Sequence, residues 1–272
     1  MERLISALGL LVFIGLGYVL SINRRAIRWQ PVLWGIALQL ILAVLILRTA
    51  PGVVIFEFLG QLVTQFLDFS DAGAKFVLGE NLEERFIAFK VLPTIIFFSS
   101  TVNGIDAAAT GALDGLKLAA NVAAMLIAFL GLLAMVNGIL GWLGGLVGLP
   151  QLTLESILAV ILAPVAWLMG VPWSDCSQVA VLLGKKTILS EFIAYLDLKA
   201  LIEQSQLSER SIIIATYALC GFSNIGSIGI QLGGIGGIAP NRQADLARLG
   251  VRALIGGTLA CFMTACIAGM LL

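Results

Sequence analysis

Residues 184–195 of this 272-residue chain read Gly184-Lys185-Lys186-Thr187-Ile188-Leu189-Ser190-Glu191-Phe192-Ile193-Ala194-Tyr195. The stretch places a carboxylate, Glu191, inside a sequence that is otherwise typical of a membrane-embedded protein. A charged side chain at the centre of a bilayer costs about 2.5–3.5 kcal/mol on insertion scales, so polar groups must meet it there. Glu191 is therefore the first candidate for a binding residue.

The composition predicts an all-α polytopic membrane protein. The chain is 60% hydrophobic and 12% charged, whereas soluble domains carry about 25% charged residues. Sixteen basic and sixteen acidic residues give no net charge, so no global field favours nucleic acid. The absence of histidine removes imidazole metal sites and histidine-activated nucleophiles. We therefore expect neither an enzyme nor a tightly bound cofactor or metal.

Two apolar runs at the start of the chain have the length of membrane spans, Leu4–Leu20 and Pro31–Leu47. The basic residues lie mainly after the first run and no small-residue cleavage site is evident, which argues against a signal peptide. Asn23–Arg28 and Pro240–Arg248 are basic loops and are predicted to be cytoplasmic. With a last span at Val251–Leu272, both chain termini are predicted to lie outside the cytoplasmic (inner) membrane.

The next segments depart from a simple series of spans. Val53–Phe69 has apolar residues at helical spacing on one side and polar residues on the other, which predicts an amphipathic helix in the membrane interface. Phe86–Ser100 starts like a span and turns polar too early to cross upright. Asp114–Leu143 then reads as one extended apolar helix.

Two later elements are predicted to be interrupted. Leu152–Gly170 and Val179–Leu183 flank a turn rich in glycine and proline, which predicts a re-entrant hairpin. Ser211–Leu219 runs into Cys220–Gln231, where Asn, Ser and Gln alternate with several glycines. This second pattern predicts a span that unwinds within the membrane, where non-helical backbone must line a cavity or be buried in protein.

Glu191, Asn224 and Ser227 form the predicted site, with Phe222 offering an aromatic face. Together they donate and accept hydrogen bonds, which suits a neutral, polyhydroxylated ligand at the ends of half-helices. Two simpler interpretations stay open. In the first, Glu191 simply pairs with Lys185 or Lys186, or lies in water at an interface. In the second, Asn224 and Ser227 form ordinary interhelical hydrogen bonds, worth about 0.6 kcal/mol each.

At these residues the chain resembles the concentrative nucleoside transporters, whose signature is Gly-x-Lys-x-x-x-Asn-Glu-Phe-Val-Ala-Tyr. The matching residues are Gly184, Lys186, Glu191, Phe192, Ala194 and Tyr195. Ile193 replaces valine and Ser190 replaces asparagine. A second signature resembles Phe222-Ser223-Asn224-Ile225-Gly226-Ser227-Ile228-Gly229, in which Ile225 and Gly226 depart from the family. The run Ala163-Pro164 to Trp167-Leu168-Met169-Gly170-Val171-Pro172 also looks like the family's second hairpin.

The resemblance implies a function and a role for each site residue. Glu191, Asn224 and Ser227 would bind the ribose hydroxyls, and Phe222 would pack near the nucleoside. The protein would be a nucleoside transporter of the inner membrane, coupled to sodium or protons. By the same resemblance it would form a homo-oligomer, specifically a trimer.

The resemblance also implies that a block is missing between Ser100 and Thr101. Family members carry a first hairpin and two further spans there, with the nucleobase contacts and the sodium ligands. The chain would then consist of residues 1–100 and 101–272 joined into a single membrane unit that holds half of the usual substrate site. The alternative function is a shortened, non-transporting family member that acts as a membrane binding or assembly protein.

Overall fold

The computed structural model describes residues 1–78, 92–101, 105–146, 148–149, 152–238 and 240–272. Every regular element within these ranges is helical, which confirms the predicted all-α fold. The α-helices are α1 Glu2–Leu20, α2 Trp29–Arg48, α3 Ala50–Leu78, α4 Leu92–Thr101, α5 Ile105–Leu146, α6 Leu154–Leu168, α7 Trp173–Ile188, α8 Glu191–Glu203, α9 Glu209–Leu219, α10 Ile225–Ile238 and α11 Gln243–Leu271. Short 3₁₀ turns at Arg24–Ala26 and Pro240–Arg242 precede α2 and α11.

Four helices in the described residues are long and apolar enough to cross a membrane: Glu2–Leu20, Trp29–Arg48, Ala50–Asp71 and Ala244–Leu271. No residue of α2 is buried within the protein, so its apolar surface is available to lipid. By length and composition α3 also qualifies as a span. Its placement in the interface therefore remains a prediction.

The described contacts divide the chain into two compact units, residues 1–49 with 129–272 and residues 50–128. The predicted boundary between Ser100 and Thr101 falls inside the second unit, because it was drawn from family resemblance rather than from packing. It stays a prediction about the missing block.

The second unit contains α3, α4 and the first part of α5. Phe66 of α3 packs against Phe97 and Phe98 of α4, with ring centroids 5.3 and 5.1 Å apart. A side chain at Gly115 of α5 would lie 2.9 Å from the Ile96 Cα atom, so glycine permits α4 and α5 to approach closely. Residues 86–91 of the predicted half-span and the linker at 102–104 lie outside the described residues.

Helix α5 is longer than its sequence pattern predicted. It spans 42 residues, Ile105–Leu146, or about 63 Å at 1.5 Å per residue, roughly twice the hydrocarbon thickness of a bilayer. The prediction began the helix at Asp114. Alanines at 107–109 explain the earlier start, because alanine has the highest intrinsic helix propensity.

The first unit has its core around α7, α9 and α11. Val179, Leu183, Ile214, Ala218 and Ile267 have no accessible surface. Helix α1 lies against α11, where the Phe13 and Phe262 rings are 5.6 Å apart. This core holds the segments that carry Glu191 and Asn224.

Helices α6 and α7 flank a turn, as predicted, but α7 begins at Trp173, six residues before the predicted Val179. Thr153 caps α6 by accepting a hydrogen bond from the Ser156 N–H at 3.2 Å. Gly170 in the turn has φ +92°, and a side chain there would collide with Ser6 Oγ. The turn therefore requires glycine. Whether this helical hairpin re-enters the membrane stays a prediction.

Candidate binding site at two helix breaks

Two interruptions of helical structure lie near each other in the first unit. The first is the short step at Leu189–Ser190 between α7 and α8. The second is Cys220–Asn224 between α9 and α10, which is shorter than the unwinding predicted over Cys220–Gln231, because the glycines at 226–237 lie within helix α10. The Leu189 carbonyl oxygen lies 4.0 Å from where a Gly226 side chain would begin. The two breaks therefore approach each other through their backbones.

Asn224 and Ser227 close the start of α10 with reciprocal hydrogen bonds. The Ser227 N–H donates to Asn224 Oδ1 at 2.7 Å, and the Asn224 N–H donates to Ser227 Oγ at 3.3 Å. The Ser227 hydroxyl also donates to the Asn224 carbonyl at 2.6 Å. Such a cap satisfies backbone groups that a helix leaves unpaired at its N-terminus. Both residues are buried.

The other end of the Asn224 amide binds Glu191. Asn224 Nδ2 donates to Glu191 Oε2 at 2.8 Å. The two partners fix the orientation of the Asn224 side chain. The Ser227 N–H is a donor and must face Oδ1, and the Glu191 carboxylate is an acceptor and must face Nδ2. Asn224 thus joins the first turn of α8 to the first turn of α10. The structure brings Glu191, Asn224 and Ser227 together, as the sequence predicted.

The two neighbouring lysines make their hydrogen bonds elsewhere, and among the described residues no salt bridge joins either of them to Glu191. Lys185 pairs with Asp197. Lys186 Nζ donates to the Ala218 carbonyl at 3.2 Å. The second simple interpretation stays open: Asn224 and Ser227 form a helix cap, and the bond from Asn224 to Glu191 is a hydrogen bond between α8 and α10.

The site keeps hydrogen-bonding capacity for a ligand. Glu191 is half-buried, and its Oε1 accepts no hydrogen bond from any residue that the structure describes. Phe222 lies in the second break, two residues before Asn224, with 49% of its surface exposed. The N-termini of α8 and α10 both meet at Glu191 and carry partial positive charge, which favours oxygen ligands and carboxylates.

Sequence reasoning missed how the end of α9 is held. The last carbonyls of a helix have no partner within the helix. Here the Ala218 carbonyl accepts from Lys186 Nζ at 3.2 Å. The Thr216 carbonyl accepts from the Cys220 N–H at 3.2 Å and also from the Tyr195 hydroxyl at 2.7 Å. Lys186 is fully buried. Lys186 and Tyr195 belong to the quoted stretch around Glu191, but only the tertiary packing shows which helix end they serve.

Comparison with known proteins identifies the family of the chain. The sequence model described as "Na+ dependent nucleoside transporter C-terminus" matches residues 97–269, and the corresponding N-terminus model matches residues 8–81. Together these matches cover most of the chain.

Individual relatives point in the same direction. Human "Solute carrier family 28 member 3" is 34% identical, with 99% of this chain and 60% of that protein covered. Rat "Sodium/nucleoside cotransporter 1" is 31% identical, with 99% and 64% covered. A solved structure of CNTnw in an inward-facing substrate-bound state superposes with a TM-score of 0.85 at 27% identity, covering 99% of this chain and 98% of that one.

The chain spans about 60% of the length of the curated relatives that it matches. The human alignment extends over 414 residues, while this chain has 272. At least 142 residues inside the matched region of the relative, 414 minus 272, therefore have no counterpart here.

Proposed function

This chain belongs to the Na⁺-dependent nucleoside transporter family, and on that premise we propose that it is a membrane transporter that binds nucleosides at Glu191 and Asn224. The observation that supports the proposal best is the 2.8 Å hydrogen bond between Asn224 Nδ2 and Glu191 Oε2 at the junction of two helix breaks. It places a carboxylate beside an amide, and leaves Glu191 Oε1 as an acceptor and the second hydrogen of Asn224 Nδ2 as a donor for a ligand.

A ribose supplies the complementary groups. Its two neighbouring hydroxyls can donate to Glu191 Oε1 and accept from the second hydrogen of Asn224 Nδ2. Ser227 holds Asn224 in place through the α10 cap, and its remaining lone pair can accept from the sugar. Phe222 presents an aromatic face at the same break for the flat part of the ligand.

The remaining properties of this proposal come from the family. We propose coupling to a cation, as the names of the sodium cotransporters in the family suggest. We also propose assembly as a homotrimer in the inner membrane with both termini outside. Native mass spectrometry in detergent would measure the oligomer directly, and a monomer under mild conditions would contradict the trimer.

Binding of tritiated uridine to the purified protein tests the site. Glu191→Gln retains the size of the side chain and removes its charge, and hydrogen bonds to charged groups contribute about 1.5–3 kcal/mol. We expect uridine affinity to fall at least about tenfold. Glu203→Gln is the matched control, because Glu203 lies on the same helix, is exposed and pairs only with Lys199 at 3.8 Å.

Equal affinity for wild type and the Glu191 variant, with the fold intact by circular dichroism, would show that the site is wrongly assigned. Loss of affinity in both variants would instead indicate a general effect of charge on α8.

A further inference from the structure

An apolar cleft of about 310 Å³ lies between α1, α2 and α11, well separated in sequence from the nucleoside site. Its walls come from Phe13 and Ile14 of α1, Val32 of α2, and Leu259 and Met263 of α11. These three helices are among those long and apolar enough to cross a membrane. The cleft therefore opens where lipid acyl chains are the solvent.

Two glycines keep the cleft open. Gly17 of α1 and Gly256 of α11 both line it, and a side chain added at either would meet no atom within 4 Å. Their missing side chains are thus not explained by tight packing of helix on helix. The space that they leave is available to a ligand.

Aromatic side chains stand at one end of the cleft. Tyr18 and Trp29 line it and stack on each other, with ring centroids 6.1 Å apart and an angle of 20° between the planes. The Arg24 guanidinium lies 6.0 Å from the centre of the Tyr18 ring. Tyrosine and tryptophan favour the headgroup level of membranes, so this end of the cleft marks the membrane surface.

Basic residues surround the same end. Arg24, Arg25 and Arg28 are exposed, and within the described part of the chain no carboxylate pairs with any of them. Arg252 adds a fourth positive charge. It precedes Gly256 by four residues on α11, and residues four apart share a helix face.

Arg252 also lies at the correct end of the cleft. Phe13 packs on Phe262, and Ser6 lies beside Gly269. These two pairs show that α1 and α11 are antiparallel, so the N-terminal end of α11 lies beside the loop of Arg24–Arg28.

We propose that this cleft is a binding site for an anionic phospholipid. One acyl chain would occupy the apolar cleft, and the phosphate would lie among the arginines beside Tyr18 and Trp29. Basic pockets between membrane helices favour anionic headgroups, and guanidinium groups bind phosphate oxygens in bidentate fashion. The site requires none of the residues assigned to nucleoside binding.

Quenching of Trp29 fluorescence tests the proposal. The protein is reconstituted in phosphatidylcholine that contains an equal fraction of either brominated phosphatidylglycerol or brominated phosphatidylcholine. The chain has five tryptophans, so the Trp29 signal is the difference between wild type and Trp29→Phe. We expect brominated phosphatidylglycerol to quench Trp29 several-fold more strongly than the same mole fraction of brominated phosphatidylcholine.

Two arginine variants separate charge from packing. Arg25→Gln combined with Arg28→Gln should reduce the preference for phosphatidylglycerol by about fivefold for each arginine removed. Arg25→Lys combined with Arg28→Lys keeps the charge and should retain most of the preference. Equal quenching by the two lipids in wild type, or a preference unchanged by the glutamine substitutions, would overturn the proposal.

A third variant tests the cleft itself. Gly256→Leu places a side chain in the cleft, and its Cβ atom would meet no atom within 4 Å. We expect it to abolish the selective quenching of Trp29 while the thermal unfolding midpoint stays at or above that of wild type. A preference that survives this substitution would show that the arginines attract headgroups at the surface alone, and the acyl-chain site would be wrong.

Discussion

Asn224 serves the fold and the proposed site through the two ends of one amide group. Its oxygen accepts from the Ser227 N–H, and its nitrogen donates to Glu191. A helix N-cap is worth about 1 kcal/mol, and a hydrogen bond to a charged group about 1.5–3 kcal/mol. Stability and ligand binding are therefore coupled at this residue, whereas a cap elsewhere in the protein contributes to stability alone.

Replacing Asn224 by alanine should lower both properties. We expect Asn224→Ala to reduce the free energy of unfolding by about 2–3 kcal/mol, because α10 loses its cap and Glu191 loses a donor. Uridine affinity should fall by about tenfold or more. Thermal unfolding in detergent and equilibrium binding measure the two effects.

Thr153→Ala is the control for the cap, since Thr153 caps α6 through Ser156 and lies outside the two helix breaks that hold Glu191 and Asn224. It should cost about 1 kcal/mol and leave uridine affinity unchanged. If the two variants lower uridine affinity equally, Asn224 has no specific role in binding.

The extent of successful prediction differs between these residues for a physical reason. The presence of a break near Asn224 was predictable because its signal is local: polar residues and glycines interrupt an apolar run. Its extent was overestimated, since the glycines at 226–237 remain helical in α10. The bond from Lys186 to Ala218 was not predictable, because 32 residues separate the partners and only the packing of α7 against α9 brings them together. The start of α5 at Ile105 was also not predicted, because the polar residues near Asp106 indicated a loop although alanines follow them at 107–109.

At the scale of elements, side chains from the stretch around Glu191 stabilise the C-terminal end of α9, because they donate hydrogen bonds to its last carbonyls. Lys186→Met should reduce the free energy of unfolding by about 1–3 kcal/mol, because the buried Ala218 carbonyl loses its donor. Lys185→Met is a matched control at the adjacent position. Lys185 pairs with Asp197 with about a third of each side chain exposed, so its loss should cost less than about 1 kcal/mol. Equal unfolding midpoints for the two variants would show that Lys186 does not support the break.

The α6–α7 hairpin depends on one backbone conformation. Gly170→Ala should lower the free energy of unfolding by about 1–3 kcal/mol or more. The φ angle of Gly170 is +92°, and the new methyl group would collide with Ser6 Oγ. Gly35→Ala provides the contrast. Gly35 lies within α2 with open space around it, so alanine there should stabilise the helix by about 0.5–1 kcal/mol. Unfolding midpoints that shift in the same direction would contradict this account of the turn.

At the scale of the whole molecule, the chain combines a complete pair of helix breaks with a shortened sequence. The family matches extend over both its N- and C-terminal parts, yet at least 142 residues of the aligned human relative, 414 minus 272, have no counterpart. The helices that position Glu191 and Asn224 pack into a core within the first unit. The ribose side of the proposed site is thus supported by residues of this chain, whereas the family resemblance assigns the nucleobase contacts and sodium ligands to the missing block.

This division predicts which ligand properties the isolated chain retains. Uridine should bind through its ribose, so 2′-deoxyuridine should bind several-fold more weakly because it lacks one of the two hydroxyls that meet Glu191 and Asn224. Replacing sodium by choline tests the proposed coupling, because the resemblance assigns the family's sodium ligands to the missing block. A change in uridine affinity of less than about twofold would contradict a sodium site in this chain. Counterflow of labelled uridine in proteoliposomes, with and without a sodium gradient, extends the test from binding to transport. Uptake that requires the gradient would show that this chain builds a sodium site from its own residues. Binding without any counterflow would favour a shortened member that binds its ligand and does not carry it across the membrane.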